Sequence, residues 1–228
     1  MSKKLQYTDW GLIDYEDAWE KQKVLFEALI EQKSHTDKSV ETFVPQQFIV
    51  CEHPHVYTLG RNGQVNNLLI NDDFLKKINA SYYHVERGGD ITYHGYGQVV
   101  GYPILDLEQL KLSVKGYVYH IEEAIIRMLS DYQITASRMD GATGVWLDVF
   151  GKNPRKICAI GVRLKRYVTM HGFALNVNTD LSYFSYINPC GFVDKGVTSM
   201  SKELQRHIDM DEVKRKIFAH FQALIAKE

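Results

Sequence analysis

The chain is 228 residues long, 45% hydrophobic and 24% charged, with a formal net charge of −1. That length fits a single domain over 1–228, and the near-neutral balance gives no bulk attraction to nucleic acid. No apolar run reaches the roughly 18–20 residues that span a bilayer, so no membrane association is expected.

The start, Met1-Ser2-Lys3-Lys4-Leu5, leads into polar and aromatic residues rather than an apolar signal segment. The three cysteines, Cys51, Cys158 and Cys190, show no CxxC spacing. This argues against a disulfide framework or a zinc site and for reduced thiols in a cytoplasm.

Trp19, Gln22, Leu25, Phe26, Leu29 and Ile30 recur at helical spacing and predict a helix over Tyr15–Ser34. Polar Ser34–Ser39 reads as a loop. The apolar run Gln47–Cys51 predicts a buried strand, and Val56–Gly60 resumes an extended pattern after His53-Pro54-His55. Ser81–Val85 is strand-like and Arg87–Asp90 a turn. Gln98–Leu105 is another strand, in which Pro103 signals an edge or a bulge.

Val114, Val118, Ile121, Ile125 and Met128 form one stripe of a helix over Val114–Tyr132. Val145–Val149, Lys156–Leu164 and Val168–Val177 are extended pieces joined by short polar connections, which favour antiparallel hairpins. Val213, Ile217, Phe221 and Leu224 mark a last amphipathic helix over Met210–Ala226. The expected class is α+β, with a mixed, mainly antiparallel sheet flanked by helices.

Three segments carry chemical signals. Arg87 to Gln98 holds Gly88, Gly89, Gly95 and Gly97, and glycine lets backbone approach a ligand closely or simply turns the chain. His94 in this bend is either a site residue or a satisfied structural histidine. In the second segment Ala159 and Gly161 share one strand face, and Gly172 and Ala174 share a face of the next strand. Two such shallow faces make a groove for a slim apolar chain or a seat for a packed helix. Regular alternation points Lys156 away from the Ala159 face, unless it precedes the strand or lies at a bulge.

In the third segment Cys190 is held between Pro189 and Gly191. Its thiol is reactive as the thiolate, whose formation a nearby ammonium such as Lys156 would favour. Cys51 lies in an apolar strand and Cys158 in an alternating one, and both read as structural thiols. The basic residues Arg155, Lys156, Arg163, Lys165 and Arg166 form either a solvated surface or a face for an acidic partner.

RGGDITYHGYGQ at Arg87–Gln98 resembles the RGGxxTYHGPGQ signature of the lipoyl(octanoyl) transferases. KICAIGVR at Lys156–Arg163, HGFALNVNTDL at His171–Leu181 and INPCGF at Ile187–Phe192 resemble the same family in order. So do Asp14-Tyr15…Ala18-Trp19…Gln22, EHPHVYTLGR at Glu52–Arg61 and GVTSM at Gly196–Met200. The resemblance implies the fold of the biotin and lipoate ligase superfamily. It implies Cys190 as the acyl-thioester cysteine and Lys156 as the group that lowers its pKa. It also implies an acyl pocket formed by Arg87, Gly88, Gly89, Asp90, Ile91, Thr92, Tyr93 and His94, by Ala159, Ile160 and Gly161, and by Gly172, Phe173 and Ala174. Tyr96 stands where the pattern has proline, which either leaves that loop less constrained or adds bulk beside the pocket.

The implied reaction moves an octanoyl group from acyl carrier protein to a lysine of a lipoyl domain. The acceptors would be the 2-oxoacid dehydrogenase complexes and the glycine cleavage H protein. Lys156 is the implied base, with His94 and His171 as alternatives; no metal, ATP or other cofactor is required. Arg163–Arg166, with Lys76, Lys77, Lys111 and Lys115, are candidates for docking acidic partners. An ATP-dependent lipoate ligase, an amidotransferase between lipoyl proteins and a non-enzymatic acyl-binding module are the competing readings.

Overall fold

The computed structural model describes residues 5–34, 44–188 and 196–227. In chain order the elements are β1 (Gln6–Leu12), α1 (Tyr15–Ser34), β2 (Gln47–Glu52), β3 (Val56–Leu59), α2 (Asp72–Lys77), β4 (Ser81–His84), β5 (Ile91–His94) and β6 (Gln98–Ile104). Then come α3 (Val114–Asp131), β7 (Ser137–Met139), β8 (Ala142–Leu147), β9 (Arg155–Lys165), β10 (Val168–Asn176), β11 (Gly196–Val197), α4 (Met200–Leu204) and α5 (Met210–Ile225). The loop expected at Ser34–Ser39 lies, past Ser34, outside the described residues.

The main sheet runs β1-β2-β6-β10-β9-β8-β7, with β11 added beside β9, and a small sheet runs β4-β3-β5. Pairing is antiparallel except for β1–β2, β9–β11 and β3–β4. The class is therefore α+β, with a mixed, mainly antiparallel sheet, as expected.

Alternation along each strand decides which helix covers which face. Phe48 and Val50 of β2 join Phe173 and Leu175 of β10 under the apolar stripes of α3 (Tyr117, Ile121, Ile125) and α5 (Val213, Ile217, Phe221). Ile49 and Cys51 face the other way, with Val100, Tyr102 and Ala174, beneath Phe26, Leu29 and Ile30 of α1. Both faces are covered, so these strands read as continuous apolar runs. Ser113 caps α3 by accepting from the Gly116 N–H, and Asp209 caps α5 by accepting from Asp211 and Glu212. Among the described residues, no helix is long and apolar enough to cross a membrane.

Pro103 does not mark an edge: β6 is the third of seven strands in the main path. It pairs with Phe48 on one side. On the other, the ladder to β10 stops at Phe173↔Gly101 and returns only as the bridge Asp106↔Val168. Proline has no N–H to give across that gap. Thr169 donates its hydroxyl to the Pro103 carbonyl at 2.7 Å, and His171, within the gap, takes φ 60°.

Candidate functional site

The orientation of Lys156 turns on one residue. Val145 of β8 pairs with Cys158, but Trp146 pairs with Lys156. Ile157 is thus an extra residue on β9, a β-bulge. Ile157 and Cys158 are consecutive, yet both are buried in the core beneath α3 and α5. Lys156 is brought onto the side of Ala159, and its Nζ lies 4.6 Å from the Trp146 ring centroid. It lines an open groove with Trp146, Ala159 and Ile160. The alternation conflict in the sequence is resolved by this bulge.

Through Arg87, Thr92, Ala159 and Ile160 the groove adjoins a narrower cavity. The cavity lies between β5, β6, β9, β10 and the start of α1. Its walls include His94, Gly161, Gly172, Phe173 and Ala174 from the segments expected to form the pocket, and also His171, Tyr15, Val100 and Tyr102. The two small faces meet in register, Gly172 opposite Gly161 and Ala174 opposite Ala159. Gly89, Asp90 and Ile91 line the outer groove.

Gly88 and Tyr93 line neither space. Gly88 donates its N–H to the Val162 carbonyl at 2.9 Å, docking the turn on β9. Tyr93 alternates away from Thr92 and His94. Its hydroxyl meets His55 Nδ1 at 2.7 Å, and its ring stacks on Tyr183 at 5.0 Å.

The polar groups at the neck are fixed. Arg87 is 8% exposed; its Nη2 donates to the Thr58 carbonyl at 2.6 Å and its Nη1 to the Gly88 carbonyl at 3.0 Å. The Asp90 carboxylate accepts from the Ile91 N–H and from Asn67 Nδ2, both at 2.6 Å.

His94 Nδ1 lies 2.8 Å from Gln98 Oε1. Gln98 uses its amide nitrogen to donate to the Tyr93 carbonyl and to Asn176 Oδ1, which leaves Oε1 as the acceptor. His94 therefore carries its proton on Nδ1 and a lone pair on Nε2. Burial, then neighbouring His53, lowers its pKa to about 3. Burial, then Arg87 and Arg163, likewise lowers His171 to about 3. The His171 N–H donates to Gln22 Oε1 at 3.1 Å. Both imidazoles are neutral and weakly basic, which makes them poor general bases.

Cys51 and Cys158 are fully buried, and burial raises both thiols, as structural cysteines require. Cys190 lies outside the described residues. At the far end of β9, Arg163 pairs with Glu86 and Lys165 with Glu27 at 3.2 Å, and in the turn beyond it Arg166 donates to Ser34 Oγ at 2.6 Å. Seven residues of strand, roughly 23 Å, separate Lys156 from Arg163.

Sequence reasoning missed Trp146 as the surface under Lys156, and Val100 and Tyr102 as cavity walls. It noted Tyr15 only within the opening motif. All four needed the sheet order to be recognised.

The lipoyl protein ligase A/B catalytic domain model matches residues 14–222. An octanoyltransferase from Bacteroides thetaiotaomicron is 55% identical over 214 residues, covering 94% of this chain and 92% of that protein. One from Christiangramia forsetii is 48% identical over 230 residues, covering 100% and 98%. Among solved structures, a bipartite lipoate protein ligase from Thermoplasma acidophilum gives a TM-score of 0.69 at 15% identity, covering 97% of this chain and 83% of that one. Lipoate-protein ligase A bound with ATP gives 0.66 at 15% identity, covering 98% and 85%. These structural likenesses bear on the fold. With the family model matching from α1 to α5 and relatives this similar along the whole chain, the protein belongs to the lipoyl protein ligase A/B catalytic domain family.

Proposed function

We propose that this protein is an octanoyltransferase of protein lipoylation, acting as one catalytic domain over 1–228. It takes an octanoyl group from the thioester of an acyl carrier protein and delivers it to a lysine of a lipoyl domain. The observation that carries the reading is the ammonium of Lys156, turned by the β9 bulge into a groove that leads to a narrow, mostly apolar cavity. Asn188 and Gly196, which bracket residues 189–195, line the same groove. This supports Cys190 as the nucleophile working beside Lys156.

In the first step the Cys190 thiolate attacks the donor thioester carbonyl. The carbon–sulfur bond to the carrier arm breaks, and the departing thiolate takes up a proton from the Lys156 ammonium, which is left as a neutral amine. One thioester replaces another, so the step needs an activated nucleophile and no external fuel. In the second step the neutral amine of the acceptor lysine attacks the Cys190 thioester. The Cys190 thiolate leaves, and the amine loses a proton. Lys156 is the better candidate to receive it, because burial has removed most of the basicity of His94 and His171. Lipoyl domains of 2-oxoacid dehydrogenase complexes and the glycine cleavage H protein are the proposed acceptors.

The test is intact-mass analysis after incubation with octanoyl-acyl carrier protein, without ATP. Wild type gains a hydroxylamine-labile octanoyl adduct that disappears when apo lipoyl domain is added. Cys190→Ser gains none, and Lys156→Met acylates at least about a hundredfold more slowly, as befits loss of a group acting on the nucleophile. Modification of the lipoyl domain only with ATP and free octanoate would replace this reading with that of a ligase.

A further inference from the structure

A third cleft lies on the outer surface behind the inner cavity, at the start of α1 and beside β4. Asp14, Glu16, Asp17 and Ser81 make it polar. One described residue lines both spaces, Tyr15. The three spaces therefore run in series: the Lys156 groove, the inner cavity, then the polar cleft beyond Tyr15.

Tyr15 is 4% exposed, and its ring is held on three sides. It stacks on His94 at 6.0 Å and 10°, stacks on Tyr83 at 5.6 Å and 28°, and meets His53 edge-on at 5.3 Å. These partners come from three different segments, so the ring cannot move without breaking several aromatic contacts.

We infer that Tyr15 is the back wall of the acyl cavity and sets the longest acyl chain the enzyme accepts. The inference rests on the acyl-transfer reading above. A chain whose carbonyl sits beside Lys156 runs inward past Ala159 and Gly161 and ends against the Tyr15 face. Each further methylene has to push a clamped ring toward a wet, acidic cleft, where the chain end gains no apolar burial. The wall thus excludes longer chains on two counts, sterically and by the polarity of the space behind it.

The test is acylation rate, read by intact mass, with hexanoyl-, octanoyl-, decanoyl-, dodecanoyl- and tetradecanoyl-acyl carrier protein. In Tyr15→Leu the ratio of dodecanoyl to octanoyl rate rises by at least about tenfold, the scale on which apolar pockets discriminate by a methylene or two. Tyr15→Trp moves the optimum the other way, toward hexanoyl. Tyr83→Ala, at a half-buried position, removes the ring that backs Tyr15 and moves the optimum in the same direction as Tyr15→Leu, by less. It carries the test if the Tyr15 variants do not fold. Folded variants that keep the wild-type order of chain lengths overturn the inference. A wild type that accepts no acyl thioester overturns the underlying reading instead, so the two failures are distinct.

Discussion

At the scale of single residues, the glycines that flank the cavity do more than leave space. A Cβ on Gly161 would stand 2.9 Å from the Gly88 carbonyl oxygen and 3.2 Å from Arg87 Cδ. That oxygen belongs to backbone already tied to β9 by the Gly88 N–H, so it yields poorly. Gly161→Ala is expected to cost about 1–3 kcal/mol, as overpacking does, and to slow acylation by shifting Arg87 at the neck. Urea denaturation and single-turnover acylation measure the two effects. A variant as stable and as fast as wild type would show that the turn has slack. The alternation of small residues was legible in the sequence, and so was a groove. Its second cause was not, because it lies on another segment. Gly172 makes the same point: its Cβ would fall 2.2 Å from the Gly101 carbonyl of β6. Tyr93 departs from the expected lining for a related reason. It sits inside a motif whose alternate residues, Thr92 and His94, face the cavity, while its own ring turns to His55 and Tyr183.

At the scale of elements, the placement of Lys156 depends on how β11 and α4 hold β9. The Thr198 N–H donates to the Lys156 carbonyl at 3.0 Å, and Asn176 Nδ2 donates to the Thr198 carbonyl at 3.0 Å. Arg155 donates twice to Glu203, at 2.7 Å each, and the Thr198 hydroxyl donates to the same carboxylate. Glu203→Ala removes the anchor of both. The pair is only partly buried, with side chains 30% and 19% exposed, which places the cost at about 1–2 kcal/mol. Because β11 leads out of the segment that carries Cys190, the expected kinetic signature is a fall in kcat with little change in KM for the acyl donor. An unchanged melting temperature with full kcat would remove this clamp from the account. The long helices were legible almost to the residue, since α1, α3 and α5 each bury a stripe at helical spacing. β1, β5, β7 and β11 were not. β1 is a half-exposed edge strand without clean alternation, and β11 is two residues long and exists only through its pairing with β9. The bulge at Ile157 was invisible for the same reason: its cause is the register of a partner strand.

At the scale of the whole molecule, three neutral histidines are packed into one layer between the main sheet, α1 and the small sheet. His53 donates from Nδ1 to the Ile13 carbonyl at 2.7 Å and accepts from the Tyr102 hydroxyl at 2.7 Å. Burial lowers its pKa to about 4 and those of His94 and His171 to about 3. An unfolded histidine titrates near 6.5. Between that value and the folded one, the unfolded chain binds protons that the native state refuses, so stability falls as pH falls. Each such group contributes at most about 1.4 kcal/mol per pH unit in that window, a large share of a typical 5–15 kcal/mol when three act together. The carboxylates with lowered pKa values, Glu123, Asp131, Asp180 and Glu203, act in the same direction but lower. Their contribution is fully present above the unfolded range near 4 and is lost only as pH falls through the folded values. Above about pH 5 the histidines therefore govern. Unfolding free energy from urea titrations is expected to be flat from pH 8 to 7 and to fall progressively from 6.5 to 5. His171→Asn, which tolerates the positive φ at that position, is expected to flatten the slope by about a third. A wild-type curve level down to pH 5 would mean that the layer opens or relaxes to accept protons.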